Sequence, residues 1–250
     1  MKAIYSITIM VAAVALLALS VPVHASKIDS RIESSAKQTH VFKTYLQGDD
    51  IKIESKDGAV TLTGTVSEES HKSLAQETVL GLPGVKSVDN KLEIKDTATV
   101  AKSDAWLTTK VKTTLLFHKS VSTMTKVNVT EGIVTLHGDA ASEAQKELTT
   151  EYAKDVEGVK GVNNEMTLKK ASKHPRTVGD KIDDASITAL VKMTLLYHRS
   201  TSAIDTKVVT KRGVVTLHGK ASNAAEMNLA TKYADDVHGV KEVKNRMVIE

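Results

Sequence analysis

The chain has 250 residues, with 34 lysines and arginines against 30 aspartates and glutamates, and its net charge of +4 does not select a class of partner. Aromatic residues make up only 3% of the chain, which excludes a nucleic-acid platform of stacked rings. Because there is no cysteine, neither a disulfide nor lipid attachment at a processed N-terminal cysteine is possible.

The first 25 residues have the pattern of a secretory signal peptide. Lys2 gives a positive start, residues 4–19 are almost wholly apolar, and Val23-His24-Ala25 is a small-x-small cleavage sequence. The apolar run is at the short end of the roughly 20 residues that span a bilayer, which favours cleavage after Ala25 over a retained membrane anchor. We therefore expect an exported chain that resides in the periplasm.

One sequence unit occurs three times along the rest of the chain. GAVTLTG at 58–64 recurs as GIVTLHG at 132–138 and as GVVTLHG at 213–219. A Gly-Val-Lys begins twenty-six residues after each leading glycine, and an asparagine follows six residues later. Such constant spacing indicates one module in three copies, so function lies in that module or in the differences between copies. The glycines expected at turns and helix ends are Gly58, Gly84, Gly132, Gly158, Gly213 and Gly239.

The first helix of the module is recognisable to different degrees in the three copies. In the second copy, residues 107–115 carry one apolar stripe at helical spacing. Asp104 precedes it, and we expect Asp104 and its counterpart Asp184 to act as helix caps. In the first copy only residues 42–46 resemble the end of this helix, which predicts a shortened module.

Two strands, a second helix and a third strand are predicted to follow. Residues 126–130 and 133–137 flank Glu131-Gly132, and this arrangement is typical of a hairpin. Apolar positions at helical spacing over 143–156 indicate the second helix, and 159–168 supplies the last strand. The predicted fold class is α+β, in which each module has a three-stranded sheet with two helices on one face.

These elements divide the chain into a signal peptide at 1–25, a shortened first module at 26–95, a second module at 103–168, a basic linker at 169–182 and a third module at 183–250. The linker is longer than the first one, so we expect the second and third modules to be the more loosely joined pair. A basic segment of this kind is ordinarily a solvated linker, and it can also contact anionic lipid or lipopolysaccharide.

Three segments of the second copy resemble the BON domain, a module of bacterial envelope proteins. They are DAWLTTKVK at 104–112, GIVTL at 132–136 and Gly158-Val159, and the third copy matches from Asp184 to Val240. The resemblance covers nearly all of the mature chain. It implies a helix–strand–strand–helix–strand fold, an exported location and attachment to the envelope or to phospholipid. BON modules share no catalytic residues, so the resemblance implies no enzymatic activity.

In some BON proteins the first helix of a module contacts lipid, which implies a candidate lipid site at Trp106, Lys110 and Lys112. Trp106 is the only tryptophan, and it lies at the edge of the apolar stripe with Lys110 one turn further on, as suits a membrane interface. The alternative is that Trp106 fills a gap against a neighbouring module. Lipid contact fits a non-enzymatic periplasmic protein that acts in envelope integrity or in protection against osmotic stress.

The outer faces of the predicted sheets form a second candidate site. Their residues are Ile133, Thr135 and His137 in the second module and Val214, Thr216 and His218 in the third. Such a face can dock another protein, including unfolded envelope proteins if the chain is a chaperone-like holdase. The alternative is that a linker or a sister module covers it.

Neither a metal site nor a catalytic site is indicated. The nine histidines form no HxH or HExxH pattern, and duplication accounts for the recurrence of His118 as His198 and of His137 as His218. No serine lies in a nucleophile elbow, and no carboxylate pair recurs with the repeat. We therefore expect no metal, no cofactor, no nucleic-acid partner and no enzymatic activity.

Overall fold

The computed structural model describes residues 22–95, 104–121, 124–169, 181–201 and 206–250. The predicted signal peptide lies outside these residues except for 22–25, which belong to the first helix. Among the helices of the described residues, none has the length and apolar character needed to cross a membrane. The described chain forms three modules of one fold.

The first module contains every element of the repeat. Its elements are α1 (Pro22–Gln38), α2 (His40–Thr44), β1 (Asp50–Lys56), β2 (Ala59–Val66), α3 (Glu69–Leu80) and β3 (Ser87–Ile94). The prediction that this module is shortened was therefore wrong, because α1 supplies the missing helix. This helix breaks before Thr39, whose hydroxyl caps the separate short helix α2.

The second and third modules have matching elements. In the second these are α4 (Asp104–Phe117), β4 (Lys126–Thr130), β5 (Ile133–His137), β6 (Asp139–Ala140), α5 (Glu143–Asp155), β7 (Gly161–Asn164) and β8 (Thr167–Leu168). In the third they are α6 (Asp184–Tyr197), β9 (Lys207–Lys211), β10 (Val214–His218), β11 (Lys220–Ala221), α7 (Ala224–Asp235), β12 (Glu242–Asn245) and β13 (Val248–Ile249). The last strand, predicted as one piece, is split in both modules.

Each module has a three-stranded sheet with its second strand in the middle. In the second module β5 pairs antiparallel with β4 and parallel with β7, and the other two sheets have the same order. Val134 and Leu136 of β5 are fully buried, whereas the alternate side chains of β5 remain accessible. The predicted α+β fold, with helices on one face of each sheet, is confirmed.

The hairpin turn of every module is bound by an aspartate from the first helix. Residues Glu131 and Gly132 both have positive φ, which is the backbone of a tight two-residue hairpin turn and favours glycine at the second position. Their N–H groups donate to the Asp104 carboxylate at 2.6 and 2.9 Å. Asp184 and Asp29 bind the corresponding turns in the same way.

This contact corrects the expectation that Asp104 and Asp184 cap their helices. In the third module the cap is Asp183, whose carboxylate accepts from the N–H of Ser186 at 2.9 Å. The Asp184 carboxylate instead accepts hydrogen bonds from the backbone N–H groups of Arg212 and Gly213. It therefore holds the start of α6 against the hairpin turn. The repeated aspartate therefore joins two elements of the module.

Replacing Asp104 with alanine is expected to destabilise the second module by about 1–3 kcal/mol, because two turn N–H groups lose a charged acceptor. Trp106 is in the same module, so its fluorescence during urea unfolding reports this loss. Asp104→Asn, which keeps one oxygen acceptor, is expected to be intermediate. Glu147→Ala, at an exposed carboxylate of α5, is the matched control. Equal effects of Asp104→Ala and Glu147→Ala would contradict the assigned role.

The repeated asparagine has a structural role as well. The Asn164 amide donates to the Lys146 carbonyl at 2.9 Å and to the Thr150 hydroxyl at 2.8 Å, and its oxygen accepts from the N–H of Met166. Asn90 and Asn245 make the corresponding bonds. Each asparagine thus attaches the last strand to the second helix of its module.

The three modules pack as one group with two cores. Buried apolar residues of the first and third modules form one continuous core, and the second module has its own. Phe117, at the end of α4, is the exception because its ring is buried in the core of the other two modules. It meets the Tyr45 ring edge-to-face at 5.4 Å.

Candidate functional site

The structure separates the three residues predicted to contact lipid. Trp106 is half-buried and Lys112 is exposed, but Lys110 is only 6% exposed. The Lys110 ammonium lies 4.9 Å from the centre of the Trp106 ring and 5.5 Å from that of Tyr197 in the third module. It also lies 3.4 Å from the Glu157 carboxylate, and burial lowers its pKa.

Lys110 therefore links the second and third modules, and in this arrangement its ammonium does not face an outer surface. The surface of α4 is formed instead by Lys112 and, one turn further on, Leu116, which is 43% exposed. Its counterpart Leu196 in α6 is 54% exposed. Large apolar side chains at equivalent surface positions of two helices are the apolar part of a candidate contact surface.

A cavity of about 1080 Å³ lies beside Leu116, where the three modules meet. The basic side chains that line it are His40, Lys181, Arg212, His238 and Lys241. The two aspartates at its wall, Asp183 and Asp184, already accept backbone N–H groups. The cavity thus combines cationic groups with an adjoining exposed leucine.

The predicted outer sheet faces are accessible in both modules. Ile133 is 36% exposed, and the remaining predicted residues are half-buried. Among the described residues no helix lies across these faces, since the helices pack on the side that carries Val134 and Val215. The six residues of the prediction are Ile133, Thr135, His137, Val214, Thr216 and His218.

One buried polar cluster was not predicted as a site. It lies between the second and third modules, where His118 and His198 are both buried and their Nε2 atoms are 3.1 Å apart. The His118 ring stacks on Tyr152 of its own module with the ring centres 3.8 Å apart, and the His198 ring stacks on Tyr233 with the ring centres 4.2 Å apart. We call these residues, with Asp155 and Asp236, the histidine cluster.

The histidine cluster has approximate two-fold symmetry. His118 Nδ1 lies 3.3 Å from the Asp236 carboxylate of the third module, and His198 Nδ1 lies 3.3 Å from the Asp155 carboxylate of the second. Neither Nδ1 has hydrogen-bond geometry at that distance. The Tyr152 hydroxyl donates to Asp236 at 2.7 Å and that of Tyr233 to Asp155 at 2.9 Å. Each module therefore places its histidine against the carboxylate of the other.

The charges of the cluster are set by its burial and its hydrogen bonds. Burial alone would raise the pKa of Asp236, but the facing His118, Ser120 and Tyr152 more than offset it and hold that pKa below its usual range. The pKa of Asp155 is likewise held below its usual range. Burial lowers the pKa of His118, and burial together with Asp236 raises the pKa of Tyr152. The carboxylates therefore remain ionised and the tyrosines remain donors.

Backbone contacts follow the same symmetry. The N–H of Lys119 donates to the Asp236 carbonyl at 2.8 Å, and the N–H of His238 donates to the Phe117 carbonyl at 3.1 Å. The N–H of Glu157 donates to the Tyr197 carbonyl at 3.4 Å. The expectation that the second and third modules are loosely joined is thus not met by the described residues.

The first module is attached to the third by a different surface. Helix α3 packs on α6, where an added Cβ at Gly81 would lie 3.2 Å from Ala185. Lys192 pairs with Glu77 at 2.6 Å across this contact. Thr78 and Gly81 of the first module occupy the repeat positions of Tyr152 and Asp155, counted back from the Gly-Val-Lys. The first module therefore lacks the residues of the histidine cluster.

One sequence signal could have indicated the cluster. A tyrosine and an aspartate three residues later recur in the second and third copies but not in the first, as does the histidine at the end of the first helix. Duplication explains why the residues recur, and not why the first copy lacks them. In the residues that the structure describes, no group of three or more histidines and carboxylates is placed to hold a metal ion.

The architecture defines a class of protein in which repeated small α+β modules dock on one another. The BON domain model matches residues 28–96, 103–170 and 183–250, so the chain belongs to the BON domain family and carries three copies. It is 32% identical over 146 residues to osmotically-inducible protein Y of Escherichia coli K12, a match that spans 56% of this chain and 73% of that protein.

Two other relatives are matched over shorter parts of their length. Outer membrane lipoprotein DolP of Haemophilus influenzae is 33% identical, over 45% of this chain and 55% of that protein. The 21 kDa hemolysin of Actinobacillus pleuropneumoniae is 34% identical, over 47% and 59%. Among solved structures, CdsD of the Chlamydia trachomatis type III secretion system is 18% identical over 88% of this chain and 90% of that one, with a TM-score of 0.24.

Proposed function

We propose that the chain is a non-enzymatic periplasmic protein that associates with phospholipid surfaces in envelope integrity or osmotic protection. Membership of the BON family and the similarity to osmotically-inducible protein Y and to an outer membrane lipoprotein support the envelope role. The observation that carries the lipid contact is the exposure of Lys112 and Leu116, one turn apart on α4, the helix that also carries the half-buried Trp106.

The proposed contact combines apolar and electrostatic contributions. Insertion of the exposed parts of Leu116 and Trp106 is worth about 1–2 kcal/mol for each, because both side chains are already partly buried. Lys112 and the lysines and arginine of the neighbouring cavity add about 1 kcal/mol each near an anionic surface. Lys110 is not part of this contact, because its ammonium is held between two modules. Each of these contributions is small on its own, so binding depends on several of them acting together across linked modules.

Vesicle co-sedimentation tests this proposal. The chain from Ser26, the predicted mature N-terminus, is expected to sediment with anionic vesicles at low salt and less so at high salt. Lys112→Glu and Trp106→Ala are each expected to weaken binding about fivefold or more, since a lost charge or ring removes about 1 kcal/mol or more. Lys207→Glu, which makes the same charge change at an exposed residue of β9, is the matched control. Absence of binding to anionic vesicles at low salt would overturn the lipid proposal.

The accessible outer sheet faces support a second candidate function, that of a holdase or protein-docking module. Ile133 and its neighbours on these faces have no helix across them among the described residues. A holdase of this kind is expected to suppress aggregation of an unfolded envelope protein equally well with and without Trp106→Ala. Ile133→Lys, which places a charge on the face, is expected to weaken suppression. A chain that does not suppress aggregation at all would exclude this function.

A further inference from the structure

The ring nitrogens of the His118–His198 pair determine how many protons the histidine cluster can hold. The two Nε2 atoms are 3.1 Å apart, so one of them must carry a proton and the other must accept it. Each Nδ1 faces a carboxylate oxygen at 3.3 Å, where a protonated nitrogen is favourable and a lone pair is repelled. Three ring protons therefore satisfy every contact of the pair.

A fourth proton has no place in this arrangement. It would put N–H groups on both Nε2 atoms at a separation of 3.1 Å, so two donors and two positive charges would face each other in a buried site. This repulsion is removed when His118 moves away from His198. Because one ring is carried by each module, that movement separates the modules.

The carboxylates and tyrosines around the pair stay in one protonation state over the same pH range, and the carboxylates act on the Nδ1 protons and not on the Nε2 contact. Asp155 and Asp236 are already ionised, Tyr152 and Tyr233 are neutral donors to them, and each histidine has one of these carboxylates opposite. The basic groups nearby are Arg199 beside Asp155, Lys119 beside Asp235, and His238, whose own pKa is lowered by burial and which acts to lower the pKa of His118. None of them supplies a further acceptor for a proton.

We propose that the contact between the second and third modules is acid-sensitive: the histidine pair shares one proton in the docked state, and a further proton releases the modules from each other. The exchange is a simple protonation of an imidazole nitrogen, with the proton taken from solvent. Among the described residues, the contact between the first and third modules has no two histidine nitrogens within hydrogen-bond distance, since His40 and His238 act on each other only electrostatically, and this contact stays closed. Acid therefore frees the second module, which carries Trp106 and the exposed face of α4.

The pH range follows from the direction of the His118 shift. Burial holds the pKa of His118 below the ordinary value of 6.5, so the separated state takes up the proton first as the pH falls. Because the docked pair holds one proton more than two neutral imidazoles and one fewer than two imidazolium ions, docking is most stable near pH 6.5, and it weakens as the pH falls from there toward the lowered pKa of His118. The carboxylates, with pKa values held below 3.8, weaken the contact only at still lower pH.

Amide hydrogen exchange of the chain from Ser26 tests the proposal at about pH 6.5 and about pH 4.5, after correction for intrinsic rates. The amides of Lys119 and His238 bridge the two modules, and their protection is expected to fall about tenfold or more, as one proton allows over more than one pH unit. The amide of Val41, which bonds Ser186 across the other contact, is expected to keep its protection. Equal changes at all three amides, or none, would overturn the proposal.

Matched double variants assign the effect to the pair. His118→Gln with His198→Gln keeps a polar contact but removes titration, so the protection that remains is expected to be independent of pH. His137→Gln with His218→Gln, at equivalent positions on the outer sheet faces, is expected to behave as the unmodified chain does. A pH dependence that persists in the first variant would contradict the assignment to these histidines.

A measurement on the unmodified chain is decisive if the glutamine variant does not dock. In its ¹⁵N histidine spectrum, the pair is expected to show three protonated ring nitrogens of four at neutral pH. The fourth proton is expected to enter only as the Lys119 and His238 amides lose protection. Two imidazoles that both become doubly protonated while these amides stay protected would overturn the proposal.

Discussion

Replacing Asp236 with alanine is expected to lower the free energy of unfolding by about 3–5 kcal/mol, the range for removing one partner of a buried ionic contact. The buried Asp236 carboxylate accepts from the hydroxyls of Tyr152 and Ser120 and faces His118, all of which belong to the second module. The substitution leaves these groups buried without an acceptor. The loss therefore includes the contact between the two modules.

Urea unfolding followed by circular dichroism measures this loss, and Trp106 fluorescence follows the second module separately. Asp235→Ala is the control, because the side chain of the neighbouring Asp235 is 58% exposed and lies 3.9 Å from the Lys119 ammonium. It is expected to cost less than about 0.5 kcal/mol. Asp155→Ala, at the symmetric position, is expected to resemble Asp236→Ala. If Asp235→Ala were as damaging as Asp236→Ala, the role of the cluster would be refuted.

The architecture of a single module could be predicted because its determinants are local. The alternation of β5, the hairpin at Glu131-Gly132 and the apolar stripe of α4 lie within short segments, and three copies repeat them. The start of the first module's first helix escaped prediction for a local reason too. The break before Thr39 separates α1 from α2, so the apolar pattern did not run on from one to the other.

The candidate site could be predicted only where it depends on a single helix. The pattern of α4 placed Trp106 and Lys112 at its surface, but it could not show that Tyr197 and Glu157 lie against Lys110. The Tyr197 contact comes from docking between modules, the Glu157 contact comes from the folding of the second module, and both depend on residues far apart in the chain. His118 and Asp236 likewise have no sequence relation that would place them 3.3 Å apart.

Replacing Phe117 with alanine is the second substitution expected to have a large effect, with a loss of about 3–5 kcal/mol. Phe117 has no exposed surface, and its ring lies in the core of the first and third modules against Tyr45. The substitution leaves a cavity in that core, to which the second module contributes Phe117. Urea unfolding measures the loss, and an unchanged free energy of unfolding would contradict this packing.

The neighbouring residue provides a control with the opposite expectation. Leu116 is 43% exposed, so Leu116→Ala is expected to change stability by less than about 0.5 kcal/mol. The same substitution is expected to weaken vesicle binding, because it removes the exposed apolar side chain of the proposed lipid contact. Phe117 and Leu116 thus separate packing between modules from contact with the membrane at adjacent positions.

Vesicle binding by Phe117→Ala then shows how much of the junction the lipid contact requires. If α4 alone contacts lipid, binding survives the loss of docking, because Trp106, Lys112 and Leu116 all remain on that helix. If the basic side chains of the cavity also contribute, binding weakens, because Arg212 and Lys241 belong to the third module and no longer lie beside Leu116. The second result would make the docked arrangement of the modules, and not the single module, the unit that contacts the membrane.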